Sequence, residues 1–166
     1  MTQHSAPCPV PEEQQPLNEY QELQRSWFFR WALSPFPQLW KPLLWLWLAS
    51  WLVAGPVAAA SFMPSRHWGK FLLTSATGAW LPVGLILLQL YLGWRYVCDR
   101  LARPVVCYEE SGWFDGQLWQ KPPDILSRDR LIVAYEIRPL LHRLEQLFAL
   151  GGVWILGGVL SWPFLP

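Results

Sequence analysis

The sequence predicts a mainly α membrane protein: three transmembrane helices, with a cytoplasmic unit of a β-hairpin plus a helix between the second and third. Three observations carry this. Charges vanish from three long stretches, tryptophans gather at the ends of those stretches, and the long charged interval between the second and third contains a hairpin turn signal. Of 166 residues, 52% are hydrophobic and 15% charged, with 13 Trp against 13 Lys plus Arg and 12 Asp plus Glu, far from a soluble average. The net charge of +1 supplies no attraction to nucleic acid, so none is expected as a partner. Cys8, Cys98 and Cys107 are few, odd in number and without CxxC spacing, which argues against a secreted disulfide scaffold.

Taken in order, residues 1–16 hold Pro7, Pro9, Pro11 and Pro16 among acidic and amide side chains, a composition for a mobile, extended tail. Over 17–34, Tyr20, Leu23, Trp27 and Trp31 recur at helical spacing. Asn18 is the expected N-cap, Gln21 completes a capping-box pattern, and the helix should end before Pro35. Its aromatic load, flanked by Arg25 and Arg30, suits an amphipathic helix in the lipid headgroup zone, or one packed on the protein's own cytoplasmic segment. Pro42 to Phe62 is 21 residues without a charge, Phe71 to Trp94 is 24, and Gln146 to Pro166 is 21. About 20 apolar residues cross a hydrocarbon core of roughly 30 Å, giving spans at 40–62, 71–97 and 148–165. Trp40, Trp68, Trp94 and Trp162 sit at their ends, where indole prefers the interface. The third run, with Gly151, Gly152, Gly157 and Gly158, also suits a re-entrant or interfacial segment. Val57 to Ala60 resembles a signal cleavage site, but about 40 polar and aromatic residues precede that run, unlike a signal peptide.

Basic residues set the expected orientation. Arg25, Arg30 and Lys41 precede the first span, Arg66 and Lys70 lie in the first link, and eight Lys and Arg lie between Arg95 and Arg143. The positive-inside tendency puts the N-terminus and the 98–147 segment in the cytoplasm or stroma and the 63–70 link on the far side. A spanning third run would leave the C-terminus outside.

Within 98–147, Val105 to Glu110 is β-prone and Asp115-Gly116 is a two-residue hairpin signal. That turn would set Phe114 against Gln117, Trp113 against Leu118, Gly112 against Trp119 and Glu110 against Lys121, with Ser111-Gly112 as a competing turn or bulge. Pro122-Pro123 should end the strand, and Asp124 should cap a helix with Ile125, Leu126, Leu131, Ile132 and Tyr135 on its apolar face. Pro139 should interrupt or restart this helix. A second helix through Leu140, Leu141, Leu144, Leu147 and Phe148 would then lead into the third span.

Chemistry is sparse. The membrane runs contain no Asp, Glu, Lys, Arg or His, which argues against a pump or a secondary transporter acting alone. Gln89 is their one large polar side chain apart from the junctional Gln146, and in principle it could ligate a chlorophyll magnesium. Ser50, Ala54 and Ala58 line one face of the first span, and Thr74 and Gly78 notch the second, a small-residue pattern for close helix packing. His142 and Glu145 share a helical face, and Glu109, Glu110 and Asp115 cluster near the hairpin. A di-iron bundle site needs paired Glu-x-x-His motifs, whereas here the order is reversed and single, so no metal site is predicted. Phosphate-loop, nucleophile-elbow and zinc spacings do not occur, and no catalytic residues or cofactor are predicted.

The block Tyr108-Glu109-Glu110-Ser111-Gly112-Trp113-Phe114-Asp115-Gly116-Gln117, followed by Trp119, Lys121-Pro122-Pro123 and Arg128-Asp129-Arg130-Leu131, resembles a plastid and cyanobacterial family. That family is described as conserved in the green lineage and diatoms and is related to a hypothetical reading frame of red-algal plastid genomes. Cys8-Pro9-Val10-Pro11, Gln15 to Tyr20 and Trp27-Phe28-Phe29 are similar to its pattern as well. The resemblance implies an oxygenic phototroph, a thylakoid or cyanobacterial plasma-membrane location, and a link to growth under iron limitation; it supplies no catalytic residues. Together these point to a non-enzymatic assembly, maintenance or interaction factor. Its partners would be membrane lipids and a photosynthetic-complex subunit or assembly protein. Tyr108, Glu109, Glu110, Trp113, Phe114, Asp115 and Trp119 are the docking candidates. The alternative is a protein handling pigment, lipid or iron, with Gln89 as its weak cofactor-binding candidate beside the Trp-rich spans and Glu109, Glu110 and His142.

Overall fold

The computed structural model describes residues 9–108 and 116–165, the side chains of Phe36 and Pro37 excepted. It is mainly helical: α1 (Pro16–Arg25), α2 (Phe36–Ser61), α3 (Trp68–Gly78), α4 (Trp80–Ala102), α5 (Pro123–Ile132) and α6 (Arg138–Ser161). Strands β1 (Val105–Tyr108) and β2 (Gln117–Gln120) form one antiparallel sheet. Three helical stretches, Gln38–Ser61, Trp68–Ala102 and Pro123–Phe164, are long and apolar enough to cross a membrane. Two compact units share these elements: Met1–Arg30 with Gly93–Pro139, and Trp31–Leu92 with Leu140–Pro166.

Proline shapes the apolar helices without ending them. Helix α2 runs through Pro42 and Pro56, each of which removes one backbone donor. Pro82 has no N–H to offer the Gly78 carbonyl, and the helix steps there, with Ala79 separating α3 from α4 at near-helical angles (φ −65, ψ −17). Pro139, expected to interrupt or restart its helix, lies in the first turn of α6, where α-helical winding restarts at Arg138. Val133–Ile137 winds as a π-helical turn between α5 and α6, closed by the Arg138 N–H on the Val133 carbonyl, and the wider turn carries the chain past the proline.

In the Trp31–Leu92 and Leu140–Pro166 unit, α2 packs on α3. Trp47 donates its indole N–H to the Ala76 carbonyl at 3.2 Å and stands edge-on to Trp51. Small residues set the approach of the helices: a Cβ added at Gly78 would lie 3.5 Å from the Ala54 methyl. Along α6, Gly151 faces the Trp80 ring and Gly158 faces Leu73, where an added Cβ would come within 3.1 Å of a leucine methyl. Leu87, Leu90, Leu140 and Leu144 fill the interior.

In the other unit the fully buried Trp94 is the anchor. Its ring meets Tyr20 edge-on, and its N–H reaches the Phe29 carbonyl at 3.3 Å. The Phe29 ring lies so close over Gly93 that no Cβ fits there. Asn18 is not the N-cap: Gln15 takes that position because Pro16, with no N–H to leave unpaired, starts the helix, and Asn18 instead donates to the Glu12 carbonyl at 2.8 Å. Helix α1 stops at Arg25, and Phe29–Leu33 forms a separate 3-10 turn. The described end of the Pro-rich stretch is packed, with Val10 buried against Val106 and Tyr108 and Trp119 covering the cluster.

The hairpin register differs from the one expected. Gln117 pairs with Tyr108, Leu118 with Cys107, Trp119 with Val106 and Gln120 with Val105, in place of the expected partners Phe114, Trp113 and Gly112, which lie outside the described residues. Glu110, the expected partner of Lys121, also lies outside the described residues, and the Lys121 backbone N–H closes on the Pro104 carbonyl at 2.8 Å. The alternation of β1 buries Val106 and Tyr108, and this register brings Trp119 onto them. Helix α5 is also turned from its expected setting. Leu131 and Tyr135 are exposed, while Asp129, Val133 and Ile137 are buried, and Pro122 rather than Asp124 is the N-cap.

Candidate functional site

At the base of the hairpin, a buried ion pair fixes the strand to two helices. The Lys121 ammonium lies 2.8 Å from Asp129 Oδ2, and both side chains are almost fully buried. The same ammonium donates to the Arg100 and Leu101 carbonyls at 3.2 and 3.0 Å, filling acceptors that the end of α4 leaves open. The second Asp129 oxygen takes Arg128 Nη2 at 3.3 Å. Every proton and lone pair that matters here has a partner, so the cluster is a structural clasp rather than a reactive site.

A second polar set ties the N-terminal segment to the same unit. Arg100 reaches Glu19 Oε1 at 2.7 Å, the Gln14 carbonyl at 2.9 Å and the Tyr96 hydroxyl at 2.8 Å. Glu19 Oε2 is buried without a hydrogen-bond partner. Burial outweighs the Arg100 guanidinium and pushes the Glu19 carboxyl above its ordinary value, with Glu22 adding to the rise. Tyr20 donates to Glu136 and accepts from Gln24. Burial first, then the Glu136 carboxylate, raises the Tyr20 hydroxyl far above the usual phenol range, so it serves as a fixed donor.

The docking candidates fall into two groups. Tyr108 is buried and Trp119 half-buried, both within the Val10, Val106 cluster. Glu109, Glu110, Trp113, Phe114 and Asp115 lie outside the described residues, as does the Asp115 half of the turn signal. Exposed apolar side chains of this unit include Trp27, Tyr96, Val105, Leu118 on β2, and Leu131 and Tyr135 one helical turn apart, at 57% and 78% exposure. Arg128, Arg130 and Arg138 are exposed in the same helical stretch as Leu131 and Tyr135.

In the other unit, Gln89 is exposed on α4. His142 lies 3.7 Å from Glu145 and 3.2 Å from Gln146, and Tyr91 donates to Glu145 at 3.2 Å, an exposed polar chain that the sequence only half outlined. Among the described residues no group of three His, Cys, Asp or Glu side chains is placed to hold a metal ion. The small residues are divided. Ala54 and Gly78 meet, Ala58 is buried, and the hydroxyls of Ser50 and Thr74 turn back to the Leu46 and Lys70 carbonyls of their own helices. A groove of about 780 Å³ runs along α3 and α4, walled by Phe62, Leu88, Phe148 and Trp162, with Gly84 and Thr74 on its floor.

Residues 8–150 match the model of the CGLD27-like family, described as conserved in the green lineage and diatoms 27. The chain belongs to this family. A chloroplastic member from Arabidopsis thaliana, named for conservation in the green lineage and diatoms, is 46% identical over 143 residues, 86% of this chain but 44% of that protein. The chain therefore spans under half the length of the plant relative. An uncharacterised protein, ycf36, from the red alga Pyropia yezoensis is 40% identical over 96% of this chain and 97% of its own. Its counterpart in Cyanophora paradoxa is 40% identical over 84% of this chain and 87% of its own. No solved structure matches.

For this CGLD27-like chain, sequence reasoning missed the Lys121–Asp129 pair, although a signal was present. Leu126, Asp129, Val133 and Ile137 follow helical spacing, and a lone carboxylate in that stripe calls for a buried cation. The Arg100 set joins residues more than 80 positions apart and left no local pattern.

Proposed function

We propose that the chain is a membrane-spanning, non-enzymatic interaction factor that docks a subunit or assembly protein of photosynthetic complexes during their assembly or maintenance, with greatest demand under iron limitation. The observation that carries this is the exposed pair Leu131 and Tyr135 in a helical stretch that also exposes Arg128, Arg130 and Arg138. Well-packed domains bury apolar side chains at helical spacing, and an exposed apolar pair with basic neighbours suits an acidic, partly apolar protein surface. The residues of the YEESGWFDG block, Glu109, Glu110, Trp113, Phe114 and Asp115, are proposed to extend the same docking region. Its chloroplastic relative and its three apolar helices support a plastid or cyanobacterial membrane as the setting. In the proposed orientation the N-terminus and the 98–147 segment face the cytoplasm or stroma.

The test is affinity purification of the full chain from gently solubilised native membranes, beside a Leu131→Asp, Tyr135→Asp variant and a Trp113→Ala, Phe114→Ala variant. Photosynthetic subunits or assembly proteins should co-purify with the parent chain and fall at least tenfold with the first variant. Recovery of the bare chain carrying pigment or iron would overturn docking and favour the cofactor-handling alternative.

A further inference from the structure

The groove along α3 and α4 has a chemically distinct end. Phe62 and Trp162 close it beside the 63–70 link, their rings edge-on at 5.3 Å, and Leu165 packs on Gly69 next to them. Thr74 on the groove floor bonds the Lys70 carbonyl at 2.7 Å, so Lys70 stands one turn beyond the groove's end, and Arg66 precedes it in the link. No Asp or Glu occurs between Glu22 and Asp99, or after Glu145. Glu145 is held by Tyr91, and from Lys70 to Tyr91 is roughly 30 Å of helical rise, the thickness of a hydrocarbon core. Arg66 and Lys70 therefore carry charge that no nearby acidic side chain of this unit balances. The first turn of α3 adds to it, having no acidic residue and no side-chain cap.

The groove itself is apolar, of ligand size, and long enough, from Leu73 to Leu88, to follow about 22 Å of helix. We propose that it seats an anionic glycerolipid, its phosphate headgroup on Arg66 and Lys70 and one acyl chain in the groove. A neutral lipid chain would fill the same space but leave the cations uncompensated, so charge complementarity selects the anionic headgroup. This site is independent of protein docking, and loss of partner capture leaves it untouched.

The test uses native mass spectrometry of the delipidated full chain in neutral detergent, with phosphatidylglycerol or phosphatidylcholine added in turn. Phosphatidylglycerol should be retained at least ten times more than phosphatidylcholine. Arg66→Gln with Lys70→Gln should abolish that preference, while Arg66→Lys with Lys70→Arg should keep it. Gly84→Leu fills open space, since an added Cβ there meets nothing within 4 Å, and should cut retention of phosphatidylglycerol tenfold without unfolding the chain. Equal retention of both lipids, retention of neither, or an unchanged preference in the glutamine variant would overturn the proposal.

Discussion

At the scale of single residues, the clasp of Lys121 and Asp129 dominates the hairpin unit. Asp129→Asn would strand a buried ammonium, and Lys121→Met would strand a buried carboxylate together with two helix-end carbonyls. Either single change should cost about 3–5 kcal/mol, the scale for breaking a buried pair from one side. Lys121→Met with Asp129→Leu should recover much of that loss, because no uncompensated charge is left. Urea unfolding followed by tryptophan fluorescence compares the three; a double variant no better than the singles would refute the clasp. Glu19 gives a pH signature. Its carboxyl is raised in the fold, so the folded state holds its proton more tightly than the unfolded chain. Its contribution is then greatest below 4.5 and falls as pH climbs from there through the raised value. The melting-temperature advantage of the parent over Glu19→Gln should shrink as pH rises through that window, and an advantage that grew would reverse the sign.

At the scale of elements, what could be read from the sequence depended on how local the forces are. Long charge-free stretches mark apolar helices because hydrophobic length is additive along the chain, and all three of those helices are there. A β-prone run before Asp115-Gly116 marked the sheet, and the sheet is there too. Its register was not legible. A turn signal fixes pairing only when nothing downstream competes, and here the inward need of Lys121 and the seat of Trp119 on Val106 and Tyr108 set it instead. The apolar face of the helix was read through Leu131 and Tyr135, whereas Asp129 is the buried residue, paired with Lys121, and Leu131 and Tyr135 are exposed. Pro139 marked where the helix is interrupted and restarts, but that the interruption takes the form of a π-helical turn leaves no sequence mark. Of the candidate site, the small-residue notch at Ala54 and Gly78 was visible in spacing alone, whereas the groove required side chains from α3, α4 and α6, with Phe62 and Trp162, to be placed together.

At the scale of the whole molecule, orientation in the bilayer governs where partners can reach the chain, and it follows from charge. Three Lys or Arg precede the first span and eight lie between the second and third, against two in the 63–70 link. Each basic residue resists translocation, so the excess predicts the proposed orientation, with the segment containing β1 and β2 on the cytoplasmic side. Cysteine chemistry can read this directly. Cys107 is exposed on β1 and Cys98 is buried in α4, so in a Cys8→Ser background Cys107 is the thiol open to reagent. A membrane-impermeant maleimide should label it in inverted vesicles and leave it untouched in right-side-out ones. Adding Ser65→Cys, in the exposed link, should give the opposite pattern. Labelling of Cys107 from the outer face would invert the assignment and move the docking region away from cytoplasmic or stromal partners. Arg66 and Lys70 would then meet the lipids of the inner leaflet instead of the outer one.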